Sequence, residues 1–233
     1  MNHQKHLKYI FLFDIDGTLL RTGGAGKTSM EKTLYELFGL KNALDSIPMM
    51  GRTDPLIFKD AVENNGIKWT LEIEGKLKHK YFTILQKEME KPREGEMVCP
   101  GIDGLLESLS ERPDVFLGLL TGNYKESAYI KLNYFELGHY FTLGAFSDDS
   151  SNRNFLGAVA IERFKKRFGF IVPSYNVYVI GDTPFDIECA RPHDFKSVAV
   201  ATGIHSYEEL TKHNPDYAFM DLSNFNALLK ILT

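Results

Sequence analysis

Four aspartates and one small hydroxyl residue each stand just after an apolar run of the chain. Asp14 and Asp16 lie in Asp14-Ile15-Asp16-Gly17-Thr18-Leu19, and Asp182 and Asp186 lie in Gly181-Asp182-Thr183-Pro184-Phe185-Asp186. Between them comes Thr121-Gly122-Asn123. If these stretches share one crevice, several like charges meet within a few ångströms. That is strongly unfavourable unless a cation neutralises them. Hard carboxylate oxygens suit magnesium, which keeps several waters and usually binds together with substrate phosphates. Glycines and a small hydroxyl let backbone N–H groups approach a phosphate.

Whether they do meet depends on the elements that carry them. Lys8 to Phe13, Val115 to Leu120, Val177 to Ile180 and Ser197 to Val200 are continuous apolar runs, and Tyr217 to Met220 is a weaker fifth. Apolarity without alternation indicates strands buried on both faces, as in a parallel sheet covered by helices. Helical patterns lie between them at 101–110, 124–135, 156–168 and 185–190. Alternating strands and helices imply right-handed crossovers and an α/β fold with a doubly wound parallel sheet. In such a sheet the carboxyl ends of neighbouring strands share one edge. The three polar stretches are therefore expected on one crevice.

Residues 21–95 break this rhythm. They carry helical patterns at 27–38, 54–64 and 71–90 with no buried-strand run between them, and they close on the polar hinge Lys91-Pro92-Arg93-Glu94-Gly95-Glu96. The sequence thus predicts a split sheet domain, residues 1–20 and 96–233, around an all-helical insert, residues 21–95.

The gross numbers bound the function. The chain has 233 residues, 43% hydrophobic and 25% charged, with a formal net charge of -4. No excess of basic charge suggests nucleic acid or an anionic membrane as a partner. No apolar run approaches the roughly 18 residues of a membrane span. The opening stretch, Met1 to Lys8, is polar, and Tyr9 to Phe13 is too short for a signal-peptide core of about 7–15 residues. Cys99 and Cys189 fit no metal or redox spacing and read as buried thiols in a reducing cytoplasm. The histidines form no ligand spacing.

The polar stretches, in order, resemble the motifs of the haloacid dehalogenase superfamily. Asp14 to Leu19 resembles the first motif, Thr121-Gly122-Asn123 the second and Val179 to Asp186 the fourth. A helical insert between the first two is similar to the small cap of the subclass that includes phosphoglycolate phosphatase and β-phosphoglucomutase. The third motif departs from the pattern, which commonly has a lysine before a helix; here Arg153 is the candidate, ahead of Lys165 and Lys166. The resemblance implies Asp14 as nucleophile and Asp16 as general acid and base. It implies metal ligation by Asp14, Asp16 (through its backbone carbonyl) and Asp182, with Asp186 as a weaker or outer ligand. Thr121, Gly122 and Asn123 would hold the phosphate, and Arg153 would balance its charge. The resemblance also places Arg52 near the substrate. The implied activity is magnesium-dependent hydrolysis of a small phosphorylated metabolite by a cytoplasmic monomer or homodimer, or a mutase using the same residues. As a family trait, dehalogenases and phosphonatases usually lack a carboxylate at the position of Asp16. A non-catalytic phosphate-binding protein would be expected to lack one of these groups.

Two stretches have simpler readings. Gly23-Gly24-Ala25-Gly26-Lys27-Thr28 lacks the first glycine of a P-loop, since Arg21 stands there, and reads as a hinge. Thr53-Asp54-Pro55 reads as a helix start.

Overall fold

The computed structural model describes residues 7–232. Most of the polar opening stretch, residues 1–6, lies outside the described residues. Six parallel strands form one sheet in the order β5-β4-β1-β6-β7-β8. They are β1 (Tyr9–Phe13), β4 (Val115–Leu120), β5 (Gly144–Ala145), β6 (Val177–Gly181), β7 (Lys196–Val200) and β8 (Tyr217–Phe219). A separate two-stranded ribbon pairs β2 (Leu20–Thr22) with β3 (Glu96–Val98).

The predicted strands are present, and the reason is visible in β1. Phe11 and Phe13 enter one apolar cluster with α4 (Ile102–Ser110) and α5 (Lys125–Tyr134). Ile10 and Leu12 enter another with α6 (Leu156–Phe168) and α7 (Pro184–Ala190). Alternate side chains leave on opposite faces, and both faces are covered, so every position must be apolar. Each fully buried Phe or Leu contributes roughly 1.5–3 kcal/mol.

Periodicity missed β5, the ribbon and the short helices α8 (Tyr207–Thr211) and α9 (Phe225–Leu229). The edge strand β5 has two paired residues, Gly144 against Leu119 and Ala145 against Leu120. Two residues cannot display a pattern.

Between the ribbon strands run α1 (Ala25–Phe38), α2 (Asp54–Glu63) and α3 (Leu71–Met89). They enclose their own core of Leu34, Phe58, Leu77, Tyr81 and Leu85, and Tyr124, just before α5, is part of it. At the hinge end, buried Glu88 accepts from Lys32 Nζ at 2.7 Å and also from Lys91 and Arg93. These hydrogen-bonded cations hold its carboxyl down to about 2, from an ordinary 4.5, against the opposing effect of its burial.

A depressed carboxylate stabilises the fold above its unfolded pKa, and that contribution disappears as pH falls through the folded value. The variant Glu88→Gln is therefore expected to lose about 1–2 kcal/mol at pH 7, because the cations are partly exposed. Urea unfolding of both proteins should converge as pH drops from 4.5 towards about 2. A gap that stays constant with pH would contradict the ion-pair account.

Candidate active site

Strand register brings the polar stretches together. Phe13 is level with Leu119 on β4 and with Ile180 on β6. Asp14, Thr121 and Asp182 follow these strands directly, so they stand side by side at the carboxyl edge of the sheet. Asp14 N donates to Ile180 O at 2.9 Å, which anchors the loop as it leaves β1.

Arg153 lies in a 3-10 turn, Arg153–Phe155, that leads into α6. Its guanidinium is buried and sits 3.0 Å from Asp14 Oδ1. The same Nη2 donates to Asp186 Oδ1, and Nη1 donates to Gly51 O at 3.2 Å. Asp186 Oδ2 accepts from Thr183 N at 3.0 Å and Thr183 Oγ1 at 2.7 Å, a capping box that starts α7. Both oxygens of Asp186 thus already have protein partners. Lys165 and Lys166 are exposed on α6.

Burial pushes the Asp14 carboxyl up to about 6; Arg153 opposes that shift, while Asp186 and Asp16 add to it. Asp182 is fully buried and raised in the same direction, first by burial and then by Asp186 and Asp14. Thr18 Oγ1 donates to Asp182 Oδ1 at 3.0 Å, but Asp182 Oδ2 has no hydrogen-bond partner. Gly17, at φ 85°, and Gly203 press against that oxygen so closely that a Cβ on either would overlap it. Thr202 Oγ1 donates to Gly17 O at 2.6 Å and ties the two glycine loops together.

A buried acceptor left without a partner is costly. Oxygens of Asp14, Asp182 and Asp186 can come within 4.8 Å of one another. The set consists of hard carboxylate oxygens, so it fits a small divalent cation such as magnesium.

Asp16 lines a cavity together with Asp14 and Arg153, and its Oδ2 accepts from Asn123 Nδ2 at 2.8 Å and from Lys131 Nζ at 2.6 Å. Asn123 Nδ2 also donates to Thr121 Oγ1 at 2.8 Å, and Lys131 donates to Asn123 Oδ1 at 2.6 Å. The cavity holds about 230 Å³ between the sheet edge and the insert, and Arg52, Met30 and Tyr81 line its insert side. The Tyr81 hydroxyl is buried with no partner. Arg52 itself is bound to Asp60 at 2.7 Å and to Pro48 O at 3.2 Å. A wider groove of about 810 Å³ runs along α3 and α5, and none of the motif carboxylates lines it.

A family model for the haloacid dehalogenase-like hydrolases matches residues 11–200. The chain belongs to that family. Similar proteins match the chain over nearly its whole length. A Caldanaerobacter subterraneus subsp. tengcongensis protein, provisionally named pyrophosphatase PpaX, is 30% identical over 94% of this chain and 93% of its own. A phosphoglycolate phosphatase of Pseudomonas syringae pv. tomato is 23% identical over 93% and 78%. The crystal structure of a β-phosphoglucomutase from Clostridium difficile superposes with a TM-score of 0.72, covering 96% of both chains at 17% identity. This last likeness concerns the fold.

Within this haloacid dehalogenase-like site, two residues escaped the reading of the sequence. Asp54 was read as a helix start, and Thr53 is indeed the N-cap of α2. Yet Asp54 N donates to Gly122 O at 2.8 Å, and its carboxylate accepts from Tyr124 N at 2.9 Å and Ser127 Oγ at 3.0 Å. The insert is therefore latched onto the loop that carries Thr121 to Asn123. Gly122 permits this, because a Cβ there would overlap Arg52 O. Lys131 belongs to none of the motifs in the sequence. The available signal was its place on the buried stripe of α5 with Ser127, Ala128 and Leu132.

The tight seat of Asp182 gives a direct test. Gly203→Ala should force the pinned Asp182 aside and cost about 1–3 kcal/mol, as overpacking does. Urea unfolding measures it. A wild-type midpoint would show that the loop yields freely.

Proposed function

We propose that this haloacid dehalogenase-like hydrolase is a magnesium-dependent phosphatase that cleaves a small phosphomonoester through an aspartyl-phosphate on Asp14. The observation that supports this most is the pairing of buried Asp14 with Arg153 at 3.0 Å beside the unpartnered oxygen of Asp182. A nucleophilic carboxylate is thus oriented by a fixed cation, next to an acceptor whose chemistry suits a metal.

Asp14 attacks phosphorus while Arg153 fixes its orientation and offsets charge on the phosphoryl oxygens. Arginine keeps its proton throughout. Thr121 and the backbone of Gly122 hold the transferring group. Asp16 gives a proton to the leaving oxygen and later takes one from the attacking water. Magnesium would be held by Asp14, Asp182 and the Asp16 carbonyl, with Asp186 as an outer support through Arg153. When bound it would cancel repulsion between Asp14 and the phosphate dianion.

The insert, residues 21–95, is proposed as a cap that excludes water from the cavity. A cytoplasmic setting agrees with two free buried cysteines, whose thiols burial pushes up to about 12. Among the described residues no helix is long and apolar enough to cross a membrane. We propose a small phosphorylated metabolite as substrate, with neither nucleic acid nor a membrane as partner, and a monomer or homodimer as the working state.

Asp14→Asn is expected to lower hydrolysis of an aryl phosphate at least about 1,000-fold without unfolding the protein, as loss of a covalent nucleophile does. EDTA should abolish the wild-type rate and added magnesium should restore it. Retained activity in the variant would remove Asp14 from its role. Release of an isomeric phosphate ester in place of inorganic phosphate would instead identify a mutase.

A further inference from the structure

Lys131 is 4% exposed, although it carries a charge. Burying an ammonium is costly unless its partners compensate. Its neighbours on the buried stripe of α5 are small or apolar, so packing alone does not call for a lysine there. Its partners are Asp16 Oδ2 and Asn123 Oδ1, both at 2.6 Å. Asn123 closes the ring by donating to the same Asp16 oxygen at 2.8 Å. Asp16 Oδ2 therefore has two donors, while its Oδ1 has none among the described residues.

We propose that Lys131 is a positioning residue for the proton transfer: with Asn123 it commits Asp16 Oδ2 as a hydrogen-bond acceptor and leaves Oδ1 to exchange the proton. This rests on the phosphatase reading above. In the first half-reaction an Asp14 oxygen bonds to phosphorus and the bond from phosphorus to the leaving oxygen breaks. The proton on Asp16 Oδ1 passes to that oxygen. In the second half, water gives a proton to Asp16 Oδ1, its oxygen bonds to phosphorus, and the bond from phosphorus to Asp14 breaks.

The rival account makes Lys131 a mere counter-charge for Asp16 and the buried Asp54. The two differ in how the loss depends on the leaving group. A dinitrophenolate leaves without protonation, whereas an alkoxide needs the acid. The ratio kcat/KM reports phosphoryl transfer to Asp14, before water enters.

With Lys131→Met, kcat/KM for an alkyl phosphate is expected to fall about 100-fold, while that for dinitrophenyl phosphate stays within about threefold. A burst of dinitrophenolate should appear, since the water step still needs Asp16 as base. Lys131→Gln, which keeps a donor without the charge, is the second variant should the first not fold, and it should show the same selectivity with a smaller loss. Equal losses on both substrates, or none on either, would overturn the proposal. Wild-type protein that fails on dinitrophenyl phosphate with magnesium would instead sink the phosphatase reading, and this proposal with it.

Discussion

Five carboxylates, those of Asp14, Asp16, Asp54, Asp182 and Asp186, crowd the carboxyl edge of the sheet, with two buried cations, Arg153 and Lys131, among them. Burial pushes Asp14 and Asp54 each up to about 6, and raises Asp182 as well. Such an arrangement is electrostatically costly. Its cost is borne by apolar strands that gain nothing from the site's chemistry. The fully buried stretch of β1 beneath Asp14 is the plainest case. A protein selected for stability alone would not place charges there, and this asymmetry marks the edge as the candidate functional site.

The two cations divide the work in space. Arg153 joins the first and fourth polar stretches by touching both Asp14 and Asp186. Lys131 joins the first and second by touching Asp16 and Asn123. A planar guanidinium can serve two carboxylates at once from a fixed position, and a compact ammonium can turn its donors to whatever surrounds it. The insert completes the enclosure through one short segment. Gly51 O accepts from Arg153, Thr53 Oγ1 donates to Ser151 O at 2.9 Å, and Asp54 binds the loop after β4. Gly51 sits at φ 71° against Phe185 and Thr183, and only glycine combines that backbone with so close an approach. The position of the insert is thus coupled to the segments that carry Arg153 and Thr121 to Asn123.

Much of this was legible beforehand because burial on both faces leaves a strong mark. The central strands must be apolar at every position, and helices between them must show a 3.6-residue stripe. Elements that are short or lie at an edge, such as β5 and the ribbon of β2 and β3, leave no such mark. Of the site, the residues that follow strands directly were readable, because topology puts every strand end on one edge. Arg153 could be proposed only by its type and its place before a helix. Asp54 was not readable as a site residue, since a helix start explains it locally; Lys131 stood out only as a charge on a buried helical stripe, which does not name its partner.

By itself, then, the sequence determined the doubly wound sheet, the helical insert and the carboxyl-edge placement of Asp14, Thr121 and Asp182. These follow from periodicity and strand order, which are local or nearly local properties. Tertiary structure alone decided that Asp186 spends its oxygens on Thr183 and Arg153, that Arg52 is bound to Asp60, and that Asp182 keeps one oxygen without a partner. It also decided that Lys131 reaches Asp16 across 115 positions of chain. Hydrogen-bond partners depend on ångström-scale distances between segments remote in sequence, and residue type and spacing do not encode those distances.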